Sequence, residues 1–233
     1  MPTGSALSVS HPRPGRSDVL VEAYVDQLET AVAATTNGAG RLELCGPGEG
    51  GLTPSSALLA AVMGAVTIPV HVMIRPRTGD FVYTDAEFEQ MRAEVAMAKG
   101  AGAAGIVFGI SHPDGTLDVP RMAQLIAEAR PLRIGIHRAF DGTPDPYVAL
   151  DQLIALGADV ILAAGHAPTA EEGISCLAGL HTQAAGRTVI MPGGSVRAHN
   201  VRRIIHETGV HEVHARASDP EVFAELVRAA QGA

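Results

Sequence analysis

The stretch 41-RLELCGPGEGGLTPS-55 reads as a strand, a glycine-rich turn and the start of a helix. Residues 41–45 alternate, with Leu42 and Leu44 on one face and Glu43 and Cys45 on the other. Thr53 and Pro54 then form a helix-start signal, with the proline at a first-turn position where no N–H is needed.

Seven more strand-like runs surround this unit. They are 19-VLVEAYV-25, 70-VHVMIR-75, 105-GIVFG-109, 133-RIGIHRAF-140, 159-DVILAAG-165, 188-TVIMPGG-194 and 210-VHEVHAR-216. Helical patterns lie between them, such as 54–66 and 85–100, and a helix follows the last strand. Eight strands alternating with helices predict parallel pairing through helical crossovers, in a (β/α)8 TIM barrel. The rival, an open doubly wound sheet, needs fewer strands, and no GxGxxG turn supports it. Residues 18–233 therefore read as one TIM-barrel domain, preceded by a loose Pro-, Gly- and Ser-rich tail at 1–17.

Helix boundaries carry their own signals. Thr84 with Glu87, Thr169 with Glu172 and Ser218 with Glu221 fit capping boxes. Pro54 and Pro146 suit first-turn positions, and Gly100, Gly157, Gly186 and Gly209 suit helix ends.

Composition narrows the function classes. Hydrophobic residues make up 46% and charged residues 18%, which is the balance of a folded chain. A formal net charge of −8 argues against a nucleic-acid partner, since no basic stripe is present to neutralise phosphates. Two cysteines, Cys45 and Cys176, make neither a disulfide framework nor a CxxC pair. The first residues lack the apolar core of a signal peptide, and no apolar run has the length of a membrane span. A cytoplasmic protein that does not engage membranes is the default expectation.

If alternate side chains enter the barrel, its interior is unusually ionisable. Glu22 and Tyr24, Glu43 and Cys45, then His71, Met73 and Arg75 share inward parity, as do Glu212, His214 and Arg216. On the fifth strand, His137 and Arg138 take opposite faces. Buried charges must be paired, neutralised or bound to something. A structural reading pairs Glu43 with Arg75. A chemical reading makes Glu22, Glu43, His137 and His214 candidate acid–base groups, with Glu22 and Glu43 sharing a proton and Asp141 beside His137. A dyad of Cys45 with His71 or His137 is a further option. Arg75 and Arg138 are candidate anion binders, joined by Gly193, Gly194 and Ser195 in the 191-MPGGSVR-197 turn, where barrels often hold phosphate. Cys45, Met73 and His71 offer thiolate, thioether and imidazole, a donor set that favours Cu(I). Each also has a plain role as core, and Cys176 reads as helix packing.

The ordered blocks 41-RLELCGPGEGGLTPS-55, 70-VHVMIRPRTGDFVYTDAE-87, 137-HRAFD-141, 190-IMPGGSVR-197 and 212-EVH-214 resemble the CutC copper homeostasis protein family. The resemblance runs from Val19 to the last helix. It implies a cytoplasmic TIM barrel associated with Cu(I) binding, with a homodimer as a reasonable expectation. The family's first strand commonly reads LEVC, and its cysteine has been considered a copper ligand. This chain has 21-VEAY-24, with Tyr24 at that position. Cys45 matches the second-strand cysteine, so two thiolates are not available at this barrel rim. In 193-GGS-195, Ser195 stands where a third glycine is common. Three functions follow as expectations: a Cu(I)-handling protein, a barrel that binds or transforms a small phosphate- or carboxylate-bearing metabolite, and a non-catalytic oligomeric scaffold.

Overall fold

Eight short runs rich in branched apolar residues form the strands, and each is followed by a helix. A computed structural model describes residues 19–232; the expected tail at 1–17 lies outside them. The strands are β1 (Leu20–Val25), β2 (Arg41–Leu44), β3 (Val70–Met73), β4 (Gly105–Phe108), β5 (Arg133–Ile136), β6 (Val160–Ala163), β7 (Val189–Pro192) and β8 (Glu212–Arg216). The helices are α1 (Leu28–Thr36), α2 (Ser56–Ala65), α3 (Asp85–Gly100), α4 (Val119–Ala129), α5 (Pro146–Leu156), α6 (Ile174–Ala184), α7 (Val201–Thr208) and α8 (Pro220–Gln231).

All strand pairs are parallel, in the order β7-β6-β5-β4-β3-β2-β1-β8. β7 and β8 pack side by side and nearly close the cylinder. This is the expected (β/α)8 TIM barrel.

The pleat sorts the side chains. Leu42, Leu44, Val70, Val72, Ile106, Ile134, Ile161 and Ile190 point outward into one large core beneath the helices. Helix faces meet them at helical spacing, as Phe88, Met91, Val95 and Ala98 do on α3. Each such side chain, fully buried, contributes about 1.5–3 kcal/mol. The inward face is different. It holds two small apolar groups, one of Tyr24, Cys45, Met73 and Val107, the other of Val160, Leu162 and Met191. Buried ionisable residues occupy the rest.

Some helix starts differ from expectation. Thr84 and Glu87 do form a capping box, and Asp145 caps Pro146. α2 begins later than expected, because Ser55 accepts from the Leu58 N–H and takes the cap from Thr53. α8 is capped by Asp219 rather than Ser218, since its carboxylate accepts from both Glu221 and Val222. Thr169 accepts from the Glu172 N–H, but only in a turn, and α6 starts after Gly173. Cys176 lies in α6, half-buried against the outer core.

Candidate functional site

Register decides which inward residues become neighbours. Glu22 on β1 is aligned with Arg41 on β2 and with His214 on β8. Its carboxylate is 1% exposed. One oxygen accepts from Arg41 Nε, and Oε1 lies 2.8 Å from His214 Nδ1. Arg41 also pairs with Glu212 at 2.7 Å, and Arg133 reaches Glu212 at 3.2 Å. The result is a chain of charge, Arg133–Glu212–Arg41–Glu22–His214, that runs from the part-exposed Arg133 to the buried Arg41 and Glu22. Burial alone would raise the Glu22 carboxyl, but the His214 hydrogen bond and the Arg41 charge outweigh it. Glu22 is held far below the usual carboxylate range and stays ionised.

Above this chain stands Glu43. His214 Nε2 faces Glu43 Oε2 at 3.7 Å. The other Glu43 oxygen is buried without a hydrogen-bond partner. Burial pushes the Glu43 carboxyl up to about 7, with Glu22 adding repulsion and the His214 charge opposing. His214 moves up as well: burial disfavours its charge, but Glu43 and Glu22 overcome that. Glu43 and His214 thus form a facing pair whose carboxyl and imidazole both move upward, with Glu22 Oε1 hydrogen-bonded to the imidazole Nδ1. The sequence suggests a proton shared between Glu22 and Glu43; in the structure the Glu22 oxygens meet Arg41 and His214, and His214 Nε2 stands 3.7 Å from Glu43.

Arg75 continues the inward parity past the end of β3. It does not pair with Glu43. The β2–β3 register sets Glu43 beside His71, so Arg75 lies four residues nearer the rim, about 13 Å along the strand direction. Its guanidinium donates to three backbone carbonyls, Glu49 (3.0 Å), Gly51 (3.3 Å) and Gly79 (2.9 Å). Arg75 is 7% exposed, has no carboxylate partner among the described residues, and keeps a buried Nε without an acceptor.

The fifth strand ends sooner than the sequence suggests. After Ile136 the chain turns into a short 3-10 helix, Arg138–Gly142, with His137 as its N-cap. His137 reaches the barrel mouth, but Asp141 does not serve it. Asp141 accepts from Arg138 Nε (2.7 Å), Ala164 N (2.9 Å) and His166 N (3.1 Å), tying the loops after β5 and β6 together. Arg138 lies over Gly194, whose φ is +102°. Gly193 is not a free anion donor, because its N–H donates to Ala163 O. The Gly194 and Ser195 N–H groups have no protein acceptor among the described residues.

These groups line one cavity of about 570 Å³ at the C-terminal end of the strands. Glu43, Arg75, His137, Arg138, Gly194, Ser195 and His214 all border it, along with Met73, Arg197 and Arg216. Four arginines and two glutamates, Glu43 and Glu49, face the space, and among those arginines only Arg138 forms a salt bridge within the described residues.

The copper candidates split. Cys45 and Met73 share the apolar group with Tyr24, while His71 sits deeper, 3.7 Å from Glu22. Cys45 is fully buried beneath the 46–52 loop: a Cβ on Gly51 would fall 2.7 Å from its sulfur. Its polar contact is Glu43 Oε2 at 3.8 Å, so neither Cys–His dyad forms. Burial and then the Glu43 charge push the thiol well up, which disfavours the thiolate that metals bind. Burial lowers His71 to about 4. The three-residue group with ligating atoms close together is Glu22, Glu43 and His214, all within 4.8 Å. Two carboxylates are hard donors, one imidazole is a borderline donor, no thiolate or thioether joins them, and Glu22 is already paired with Arg41; the set is not one that selects Cu(I).

Arg41, Glu212 and Arg133 were not singled out by sequence as a site. Their signal was present in inward parity with Glu22, Glu43 and His214. Gly105 and Gly109 were also missed. A Cβ at Gly105 would meet His71 at 2.6 Å, and one at Gly109 would meet His137 at 2.7 Å. β4 and its continuation thus make room for two imidazoles.

Fold and site together define a TIM barrel with an ionisable, arginine-rich mouth. The CutC family model matches residues 19–219, and the chain belongs to the CutC family. It is 47% identical over 199 residues to a mouse protein described as a copper homeostasis protein cutC homolog, covering 85% of this chain and 73% of the mouse protein. The human homolog is 46% identical over 199 residues, with the same coverage. A crystal structure of a copper homeostasis protein CutC from Streptococcus agalactiae, described there as putative, superposes with a TM-score of 0.80 at 33% identity, over 84% of this chain and 97% of that one. No helix of the described residues is long and apolar enough to cross a membrane.

Proposed function

We propose that this protein binds a small phosphate- or carboxylate-bearing metabolite at the barrel mouth and moves a proton on it through Glu43 and His214. The observation that carries this reading is Arg75, a buried guanidinium without a carboxylate partner, bordering the same cavity as an acid–base pair. A buried arginine in that state is stabilised by an incoming anion, which supplies the charge-assisted bonds it lacks. Arg138 and the Gly194–Ser195 N–H groups supply a second set of donors bordering the same cavity.

The placement of Glu43 and His214 supports the proton-transfer reading. Glu43 takes or gives a proton at its unpartnered Oε1, and His214 Nε2 replenishes or accepts it from the other oxygen. Glu22, locked between Arg41 and His214 Nδ1, keeps the ring aimed at Glu43. The copper expectation keeps the support of the relatives' names, whereas the donor chemistry of this mouth favours an anion.

The test is a thermal-shift screen of purified protein against inorganic phosphate, small phosphorylated and carboxylated metabolites, and Cu(I) in parallel. At least one anion class should raise the melting temperature. Stabilisation by Cu(I) alone would overturn the reading.

A further inference from the structure

His137 differs from the other titratable groups of the mouth. It is 5% exposed and borders the cavity, packed with ring centroids 4.5 Å apart against Phe81. Its Nδ1 accepts a hydrogen bond from the Ala139 backbone N–H at 3.1 Å. An N–H donor is always a donor, so Nδ1 must present its lone pair. The neutral ring then carries its proton on Nε2. That Nε2 is buried and has no partner. Burial and then the Arg75 charge hold the ring neutral, with its pKa lowered to about 3. Arg75 also leaves its Nε unpartnered, and its guanidinium lies 5.0 Å from the same Phe81 ring. Two side chains with buried, unpartnered N–H donors thus adjoin the same aromatic ring. A buried donor without an acceptor has lost its hydration with nothing in return, a cost that a bound acceptor would relieve.

We infer that Arg75 and His137 form a subsite for a carbonyl or carboxylate oxygen of the ligand, with His137 a fixed neutral Nε2–H donor rather than an acid–base group. The inference rests on the anion-binding reading above and narrows its substrate class. The ligand carries an acceptor oxygen here, in addition to any phosphate held by Arg138 and the Gly194–Ser195 turn. A group offering only donors, such as an ammonium, is rejected. The role also departs from the acid–base assignment suggested by the strand-end position of His137.

The experiment uses the full chain labelled with 15N-histidine, followed by long-range proton–nitrogen spectra from about pH 5.5 to about pH 8.5. The probe is 2-phosphoglycolate, which bears one phosphate and one carboxylate, with inorganic phosphate as the comparison. His137 is expected to keep the Nε2–H tautomer throughout, and its Nε2 signal to shift with 2-phosphoglycolate. His137→Gln, which keeps an N–H donor, should retain affinity better than His137→Leu, which should lose about three- to tenfold with its fold intact by circular dichroism. Titration of His137 within the range overturns the proposal. So does binding of 2-phosphoglycolate that leaves the His137 signal unmoved, although anion binding then stands. Absence of binding by either anion overturns both readings.

Discussion

Glu22 and His214 face each other across the β1–β8 register, and Glu22 Oε1 meets His214 Nδ1 at 2.8 Å. The second Glu22 oxygen is taken by Arg41, so this carboxylate cannot turn toward the mouth. It orients the imidazole and leaves Nε2 for Glu43.

Glu22→Gln tests that arrangement. The folded pKa of Glu22 is depressed, so its stabilisation is present above the ordinary carboxylate value and is lost as pH falls through the folded value. Arg41 keeps Glu212 but loses the charge-assisted bond to Glu22, which costs about 1.5–3 kcal/mol at neutral pH. The gap between wild type and variant should narrow as pH drops below the ordinary value of 4.5. Urea denaturation across pH measures it; a gap independent of pH would refute the role of the Glu22 charge.

Glu43→Gln has the opposite sign. Its carboxyl is raised from 4.5 to about 7, so ionisation weakens the fold as pH rises across that interval and levels off above it. The variant should be roughly 1–3 kcal/mol more stable than wild type near pH 8 and close to equal near pH 4. Proton transfer to a bound metabolite should be lost. Melting curves at the two pH values decide it, and a variant less stable near pH 8 would contradict the buried, unsatisfied state of Glu43.

Cys45→Ser bears on copper. A thiol sealed under Gly51 with its pKa pushed up is a poor Cu(I) ligand at neutral pH. Wild type and variant should hold Cu(I) equally against a chromogenic competitor. Tight binding in wild type that vanishes in the variant would restore the metal reading.

Gly51→Ala tests the loop above the thiol. Gly51 has φ +78°, and an added Cβ meets Cys45 Sγ at 2.7 Å and Tyr24 at 3.0 Å. The expected cost is about 1–3 kcal/mol by thermal melting, with weaker anion binding because Arg75 donates to the Gly51 carbonyl. A neutral substitution would show that this loop does not hold Arg75.

Much of the barrel was legible because period-two alternation and βα repetition are local properties. The inward parity of Glu22, Glu43, His71 and His214 was legible for the same reason. Which of them touch was not, because register is set between strands. Glu43 and Arg75 looked like a pair until the alignment of Glu43 with His71 separated them. Arg41 opened the most informative stretch of the sequence, yet a charge at a strand start reads as solvated. Here it is among the largest fully buried side chains. His137 read as a strand residue because it continues the alternation of the 133–140 run, but the strand ends at Ile136 and the imidazole caps the next turn. Asp141 read as chemistry, but its carboxylate ties loops together, accepting from the Arg138 side chain and from backbone N–H groups 23 and 25 residues away.

The most direct measurement is calorimetric titration of 2-phosphoglycolate into wild type and Arg75→Ala near pH 7. Wild type should bind, and the variant should bind about tenfold or more weakly, because a buried charge-assisted contact is removed. Equal affinity in the two proteins, or no heat in either, would contradict an anion site built on Arg75.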